Sequence, residues 1–288
     1  MSTAGGLYKS VERALAAGCK AFQIFARNPR SWQTRPLEPE AAERFTSDRD
    51  ASGLYPLVVH TSYLINLSSP DDVIFSKSRA LFKEELTLAE TLGAEYLVTH
   101  LGTPKGRGRG FAMEQVKKAL QEVKRAEINK NTTILFENSA HKGMTGADLD
   151  EIGEVMGIAL AEGLKAGMCF DTCHGFTAGY PMKDKKTAEA LARAIKEAAG
   201  PGGLRLIHLN DSKGEAGSGV DRHANIGEGC IKKTAMKAFL SAEGVKGVPI
   251  ILETPKKEAD DDIKNLQAVR RLLGRPLKRG ARKIKNIN

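Results

Sequence analysis

The chain is poor in cysteine, carries one tryptophan, has no long apolar run and, beyond Asp262, no acidic residue. Each shortage excludes something. Four cysteines (Cys19, Cys169, Cys173, Cys230) scattered over 288 residues cannot build a disulfide framework and read as reduced thiols. No stretch approaches the roughly 20 apolar residues that a membrane span needs. Met1-Ser-Thr-Ala-Gly-Gly6 has neither the basic start nor the apolar centre of a signal peptide, so a cytoplasmic protein is expected. From Ile263 to Asn288 there are nine Lys or Arg and no acid, and the remaining Lys and Arg equal the 35 Asp and Glu in number. The net charge of +9 therefore belongs to the C-terminal end, with the segment 274–288 as its basic tail. Such a segment favours a polyanion partner over a merely solvated tail.

What is present is a repeated unit. Pro56-Leu-Val-Val-His60 and Tyr96-Leu-Val-Thr-His100 are short apolar runs that end on an imidazole. Thr133-Ile-Leu-Phe-Glu137 and Gly167-Met-Cys-Phe-Asp171 end on a carboxylate, and His174 follows the latter by three residues. Leu204-Arg-Leu-Ile-His208 and Val248-Pro-Ile-Ile-Leu-Glu253 complete the series. Runs of this length and composition are buried strands. Their ends lie 34 to 45 residues apart, with helical spacing between them. That spacing predicts a single α/β domain over residues 1–288, a TIM barrel of the (β/α)8 type. Helices are expected near 7–17, 38–52, 72–92, 111–129, 145–163, 187–199, 231–243 and 258–273, and a further strand within Lys20–Ala26.

Four loops carry chemistry. Arg27-Asn-Pro-Arg-Ser-Trp32 holds two arginines and the only tryptophan, with Trp32 read equally as an exposed contact or as a plug in an apolar seam. Tyr63 and Leu64 follow His60, as anchors of the loop or as a wedge for a stacked substrate. The Gly/Arg segment 102–110 reads as flexible and suited to phosphate contacts through Lys105, Arg107 and Arg109. Residues 210–229 read as one long functional loop containing Asp221-Arg-His223.

Five of the six histidines (His60, His100, His174, His208, His223) stand at or just past strand ends, beside Glu137, Asp171, Asp221 and Glu253. A lone histidine there is usually a hydrogen-bonded structural residue; five on one barrel face are not. Mixed imidazole and carboxylate donors favour zinc or manganese over magnesium. Nine donors exceed what one ion takes and suffice for three. Cys169 and Cys173 read as buried thiols rather than ligands, and His141 as solvent-exposed.

The motifs His60-Thr-Ser-Tyr-Leu-Ile-Asn-Leu67, Glu137-Asn-Ser-Ala140, Asp171-Thr-Cys-His-Gly-Phe-Thr-Ala-Gly-Tyr180, His208-Leu-Asn-Asp-Ser-Lys213, Val220-Asp-Arg-His223 and Leu252-Glu-Thr-Pro255 span nearly the whole chain. As a set they resemble the endonuclease IV family of apurinic/apyrimidinic endonucleases, within the xylose isomerase-like barrels. The resemblance implies three zinc ions, with manganese admissible in part. One would be held by His60, His100 and Glu137; a second by Glu137, Asp171, His208 and Glu253; the third by His174, Asp221 and His223. It implies hydrolysis on the 5′ side of an abasic nucleotide, giving a 3′-hydroxyl and a 5′ deoxyribose phosphate in base excision repair, and the clearing of blocked 3′ ends. Glu137 is the catalytic residue on this reading. Arg30, Tyr63 and Leu64 match positions that enter the base stack where an abasic nucleotide is flipped out. The implied partner is damaged double-stranded DNA, not a membrane, and the implied state a monomer in the bacterial or archaeal cytosol, at the nucleoid. A sugar-isomerase-like metalloenzyme of the same superfamily would need the bridging carboxylates but not the third donor set. A catalytically silent damage-binding protein would lack a ligand, and none is missing.

Only seven strands are readable, ending near residues 26, 60, 100, 137, 171, 208 and 253, where closure takes eight. The family's first strand precedes the helix at 7–17, and this chain starts after it. Either an open seam between the strands ending near 26 and 253, with instability or association at its edges, or a start placed too late is expected.

Overall fold

In the computed structural model, which describes residues 1–274, short parallel strands alternate with helices around one barrel. The strands are β1 (Phe22–Ile24), β2 (Leu57–His60), β3 (Tyr96–Thr99), β4 (Thr133–Glu137), β5 (Ala166–Asp171), β6 (Leu204–His208), β7 (Asp211–Ser212), β8 (His223–Ala224) and β9 (Ile250–Ile251). The helices are α1 (Tyr8–Ala17), α2 (Pro39–Ser52), α3 (Asp72–Thr91), α4 (Gly108–Ala126), α5 (Leu149–Ala161), α6 (Thr172–Ala178), α7 (Lys185–Ala199), α8 (Lys233–Ser241) and α9 (Asp261–Leu272). The sheet runs β1-β2-β3-β4-β5-β6-β9, parallel throughout. No described helix is long and apolar enough to cross a membrane.

Period-two alternation explains why the strands look wholly apolar in sequence. Outward side chains such as Phe22, Leu57, Leu97, Phe136, Phe170 and Ile207 pack under the helices. Inward ones, Val58, Val98, Leu135, Cys169, Leu206 and Ile251, form a separate apolar plug, one residue per strand, with Ala21 against it just ahead of β1. Complete burial of such a side chain contributes about 1.5–3 kcal/mol. Two residues beyond the plug on each strand the same inward face reappears, now at the mouth.

The seam expected between the outer strands is there. Among the described residues β1 pairs only with β2 and β9 only with β6, and no strand lies between them. A cavity of about 460 Å³ opens beside the gap, lined by Met1, Phe22, Ile24 and Ile250 among others. The chain's amino group donates to the carbonyl of Gln23 there.

Three expectations need correction. The Gly/Arg segment is not free to residue 110: α4 begins at Gly108. The Arg109 guanidinium is held by Glu154 of α5 at 2.7 Å, so it is less available to phosphate than the sequence suggests. The segment 210–229 is not one loop, because Asp211–Ser212 pairs antiparallel with His223–Ala224. Two-residue strands are too short to leave a periodic trace. The short α6, about two turns of helix with every residue buried, has no amphipathic period to mark it in the sequence. The basic tail lies outside the described residues except for Gly274.

Candidate metal centre at the barrel mouth

Six strands deliver donors from the layer above the apolar plug. His60 ends β2, His100 follows β3, Glu137 ends β4, Asp171 ends β5, His208 ends β6, and Glu253 follows β9. Three donors come from elsewhere. Asp171 caps α6 by accepting from the backbone N–H of His174 at 2.9 Å, which sets His174 one turn above it. That helix sits close to its strand because Gly175 faces the Phe170 ring, where a Cβ would lie 2.5 Å from Cζ. Asp221 and His223 arrive on the β7–β8 hairpin. After His100 the chain turns at Gly102 (φ +82°) against Asn66, whose amide oxygen a Cβ would meet at 2.1 Å.

All nine residues expected at the site meet here. Glu137, fully buried, is the hinge between two groups. Its Oε2 lies 3.2 Å from His60 Nε2 and 3.3 Å from His100 Nε2. Its Oε1 lies 2.9 Å from His208 Nδ1, and that nitrogen is 3.4 Å from Glu253 Oε2. Asp171 joins Glu137, His208 and Glu253 with donor atoms all within 4.8 Å of one another. Nearer the rim, Asp221 Oδ1 lies 3.3 Å from His174 Nε2 and 3.5 Å from His223 Nε2, and its side chain is exposed.

The imidazoles are oriented from behind. His60 Nδ1 donates to Thr61 O at 2.8 Å, His174 Nδ1 to Asn138 O at 3.0 Å and His223 Nδ1 to Glu253 O at 3.0 Å. Carbonyl oxygen can only accept, so each of these rings carries a proton on Nδ1 and, in its neutral form, turns the lone pair of Nε2 inward, the form that binds a metal. His223 Nε2 is buried and has no hydrogen-bond partner. A tetrahedral ion with bonds of about 2.0–2.1 Å sets its donors roughly 3.4 Å apart, and the separations above bracket that figure. Four carboxylates converge, and among the described residues none of them is paired with a lysine or arginine. The donors therefore fit divalent metal ions.

Without metal, the ionisable groups show the same field. Burial works to raise the Glu137 carboxyl, but His100, His208 and His60 outweigh it and hold it well below the usual range. Burial opposes the charged form of His174, yet Asp171, Asp221 and Glu137 push it up to about 10. His208 is raised well above its ordinary value, against burial, by Cys169, Glu253 and Glu137. His100 goes the other way, lowered by burial. Burial pushes the Cys169 and Cys173 thiols up to about 12, which keeps them protonated beside the donors. His141 is exposed, as expected.

The three residues expected to contact DNA sit on two loops that meet at Pro29 O, on the β1–β2 side of this mouth. Tyr63 is 58% exposed, with its ring 5.1 Å from Phe25 and its backbone N–H on Pro29 O. Leu64 beside it is half-buried and Arg30 is exposed. Trp32 is half-buried against the core, with Lys77 5.9 Å from its ring, so it acts as a plug. Sequence reading missed the residues that hold the donors: Gln23, Asn138 and Asn210. Asn210 donates to Asp171 Oδ2 at 2.5 Å and accepts from the Glu253 N–H at 2.8 Å. For Gln23 alone there was a signal, a polar residue at an inward position of an apolar run.

The model of the family described as xylose isomerase-like TIM barrel matches residues 11–273. A protein of Methanoculleus marisnigri named probable endonuclease 4 is 40% identical over 276 residues, covering 95% of this chain and 97% of that protein. The crystal structure of endonuclease IV from Thermus thermophilus superposes with a TM-score of 0.82 at 34% identity, over 95% of this chain and 96% of that one. A D-tagatose 3-epimerase-like protein, at 20% identity and a TM-score of 0.67, shares the fold alone. With relatives of this identity along almost its whole length, the chain belongs to the endonuclease IV family of xylose isomerase-like TIM barrels.

Proposed function

We propose that the chain is a metal-dependent DNA repair endonuclease that hydrolyses the phosphodiester 5′ to an abasic site, leaving a 3′-hydroxyl and a 5′ deoxyribose phosphate. The observation that carries this reading is the convergence of His60, His100, Glu137, Asp171, His174, His208, Asp221, His223 and Glu253 on one open mouth, in a chain 34% identical to a solved endonuclease IV. Three zinc ions are the proposed complement, with manganese acceptable at part of the site. His60, His100 and Glu137 would hold the first; Glu137, Asp171, His208 and Glu253 the second; His174, Asp221 and His223 the third.

When bound, such ions supply Lewis acidity toward a phosphate and bring the pKa of water close to neutrality. The protein supplies position. Glu137 directs one oxygen to each of two donor groups and fixes their spacing. His174, Asp221 and His223 stand nearer the rim, where a phosphate would enter. Tyr63 and Leu64, with Arg30 on the neighbouring loop tied to the same point at Pro29 O, would occupy the gap left by a flipped nucleotide. Unstacking costs least where a base is already missing, so selectivity needs no base readout.

The test is metal analysis of the purified protein together with cleavage of two duplexes, identical except for one abasic site. Near three ions per chain and incision only at the abasic nucleotide, with an extendable 3′ end, support the reading. Equal cleavage of both duplexes, or none with metal bound, overturns it.

A further inference from the structure

The layer above the apolar plug has a seventh member. On β2, β3, β4, β5, β6 and β9 the residue two beyond the plug is His60, His100, Glu137, Asp171, His208 or Glu253. On the β1 side the plug residue is Ala21, and the residue two beyond it is Gln23, which is 7% exposed. A glutamine is a poor metal ligand, but it is a good holder of ligands. Its Nε2 donates to Glu253 Oε1 at 2.6 Å. A carboxylate can only accept, which fixes the amide's orientation and turns Oε1 to His208 Nε2, 2.8 Å away. That ring nitrogen must therefore carry a proton, so in the neutral, metal-binding form of the ring the lone pair is on Nδ1, facing Glu137 and Glu253.

We propose that Gln23 is the positioning residue of the donor set Glu137, Asp171, His208 and Glu253, setting the His208 tautomer and the Glu253 rotamer together. This rests on the metal reading given above. His208 differs from the other oriented rings, which present Nε2 and lean on backbone carbonyls that no side-chain substitution removes. His208 presents Nδ1 and leans on a side chain. The same amide also joins β1 to the end of β9 across the seam, where no backbone ladder runs. Gln23 thus substitutes side-chain bonds for the missing strand pairing at the level where ligand geometry is set. Groups of this kind typically contribute 10–100-fold to metal affinity.

The experiment measures zinc retained per chain during titration with a chromogenic chelator, on wild type, Gln23→Leu and Gln23→Glu. Gln23→Leu keeps the volume and removes both bonds. It is expected to lose one ion about 10–100-fold more readily than wild type while the remaining ions are released at wild-type chelator concentrations. Gln23→Glu can still accept from His208 but sets a second charge against Glu253, so its zinc retention is expected to fall between the two. Ile24→Val, a change of the neighbouring outward residue, controls for loosening of β1 and is expected to retain metal as wild type does. Retention by Gln23→Leu equal to wild type overturns the proposal while leaving the metal reading intact; a wild-type chain that takes up no zinc overturns both. Uniform loss of every ion from Gln23→Leu and Ile24→Val alike would assign the effect to the strand rather than to the amide, and overturns it too.

Discussion

The carboxylate of Glu85, buried on α3, accepts a hydrogen bond from the backbone N–H of Ser62 at 3.0 Å, and so pins the loop that presents Tyr63. Ser62 Oγ and the Tyr63 N–H both reach Pro29 O, which ties the Arg30 loop to the same point. Burial raises the Glu85 carboxyl to about 7, against the Ser62 bond and the nearby Arg27 and His60. A carboxyl whose folded pKa lies above its ordinary 4.5 binds more protons folded than unfolded between those two values. Its contribution to stability is therefore present at low pH and declines as pH rises from about 4.5 to 7. Glu85→Gln keeps an acceptor for Ser62 and removes the charge. The difference in Tm between variant and wild type should grow in the variant's favour across that window and level off above it. Thermal melts of both proteins from about pH 5 to about pH 8 check this, and a constant difference contradicts it. Glu85→Ala instead strands the Ser62 N–H and should cost about 1–3 kcal/mol.

Glu137 serves two donor groups at once, so its substitution separates chemistry from binding. Glu137→Gln keeps the shape but gives up a charge between His60, His100 and His208. Cleavage of abasic duplex should fall by at least about 10³-fold, the scale on which lost charge stabilisation at a reacting centre is felt. DNA affinity, carried by other residues, should change little. Gel-shift and incision assays on the same preparation decide it; an active Glu137→Gln protein would remove this carboxylate from the mechanism.

Tyr63 and Leu64 are open to solvent in part and make no hydrogen bond to a donor residue through their side chains. Replacing both with alanine should leave metal content unchanged. If they fill the space of an extruded nucleotide, each forfeits apolar burial of about 1.5–3 kcal/mol only on damaged DNA. Affinity for abasic duplex should then drop at least about tenfold, and that for undamaged duplex less than about twofold. Equal losses on the two duplexes would make them anchors of the loop and nothing more.

The strand ends were legible in the sequence because a layer of imidazoles and carboxylates interrupts an apolar pattern at one position per strand. His60, His100, Glu137, Asp171, His208 and Glu253 each stop a run that a core alone would let continue. That the described residues supply seven barrel strands was legible for the same reason, since seven runs can be counted. What stayed hidden lacks a local signature. The β7–β8 hairpin is two residues a side and exists because Asp211, buried, gathers the N–H groups of Gly227, Gly229 and Ile231 from far along the chain. The start of α4 at Gly108 is set by packing on α5 through Arg109 and Glu154, against a glycine-rich composition that predicts no helix. Gln23 was hidden by its identity: an amide does not advertise a metal centre, and only the registry of the barrel puts it beside His208 and Glu253.

Removing metal should cost stability as well as activity. Glu137 and Asp171 are fully buried, and with Glu253 and Asp221 they crowd like charges at one mouth. Ions bound only by the folded chain add to its stability in proportion to the logarithm of free metal over Kd, about 4 kcal/mol for one site at a thousandfold excess. For a domain of this size each kcal/mol is worth roughly 2–4 °C in Tm. Exhaustive chelation followed by removal of the chelator should therefore lower Tm by about 10 °C or more, and zinc at micromolar concentration should restore it. Magnesium at millimolar concentration should not, because five of the nine donors are imidazoles and that ion prefers oxygen. Asp221 stands on the exposed rim, so the ion it would share with His174 and His223 should leave first and return first. A stepwise chelator titration, followed by Tm and by zinc content together, would show one early release with a small change in Tm and later releases with a large one. A single release step, or a Tm indifferent to metal, would mean that the donors do not share their charges with bound ions.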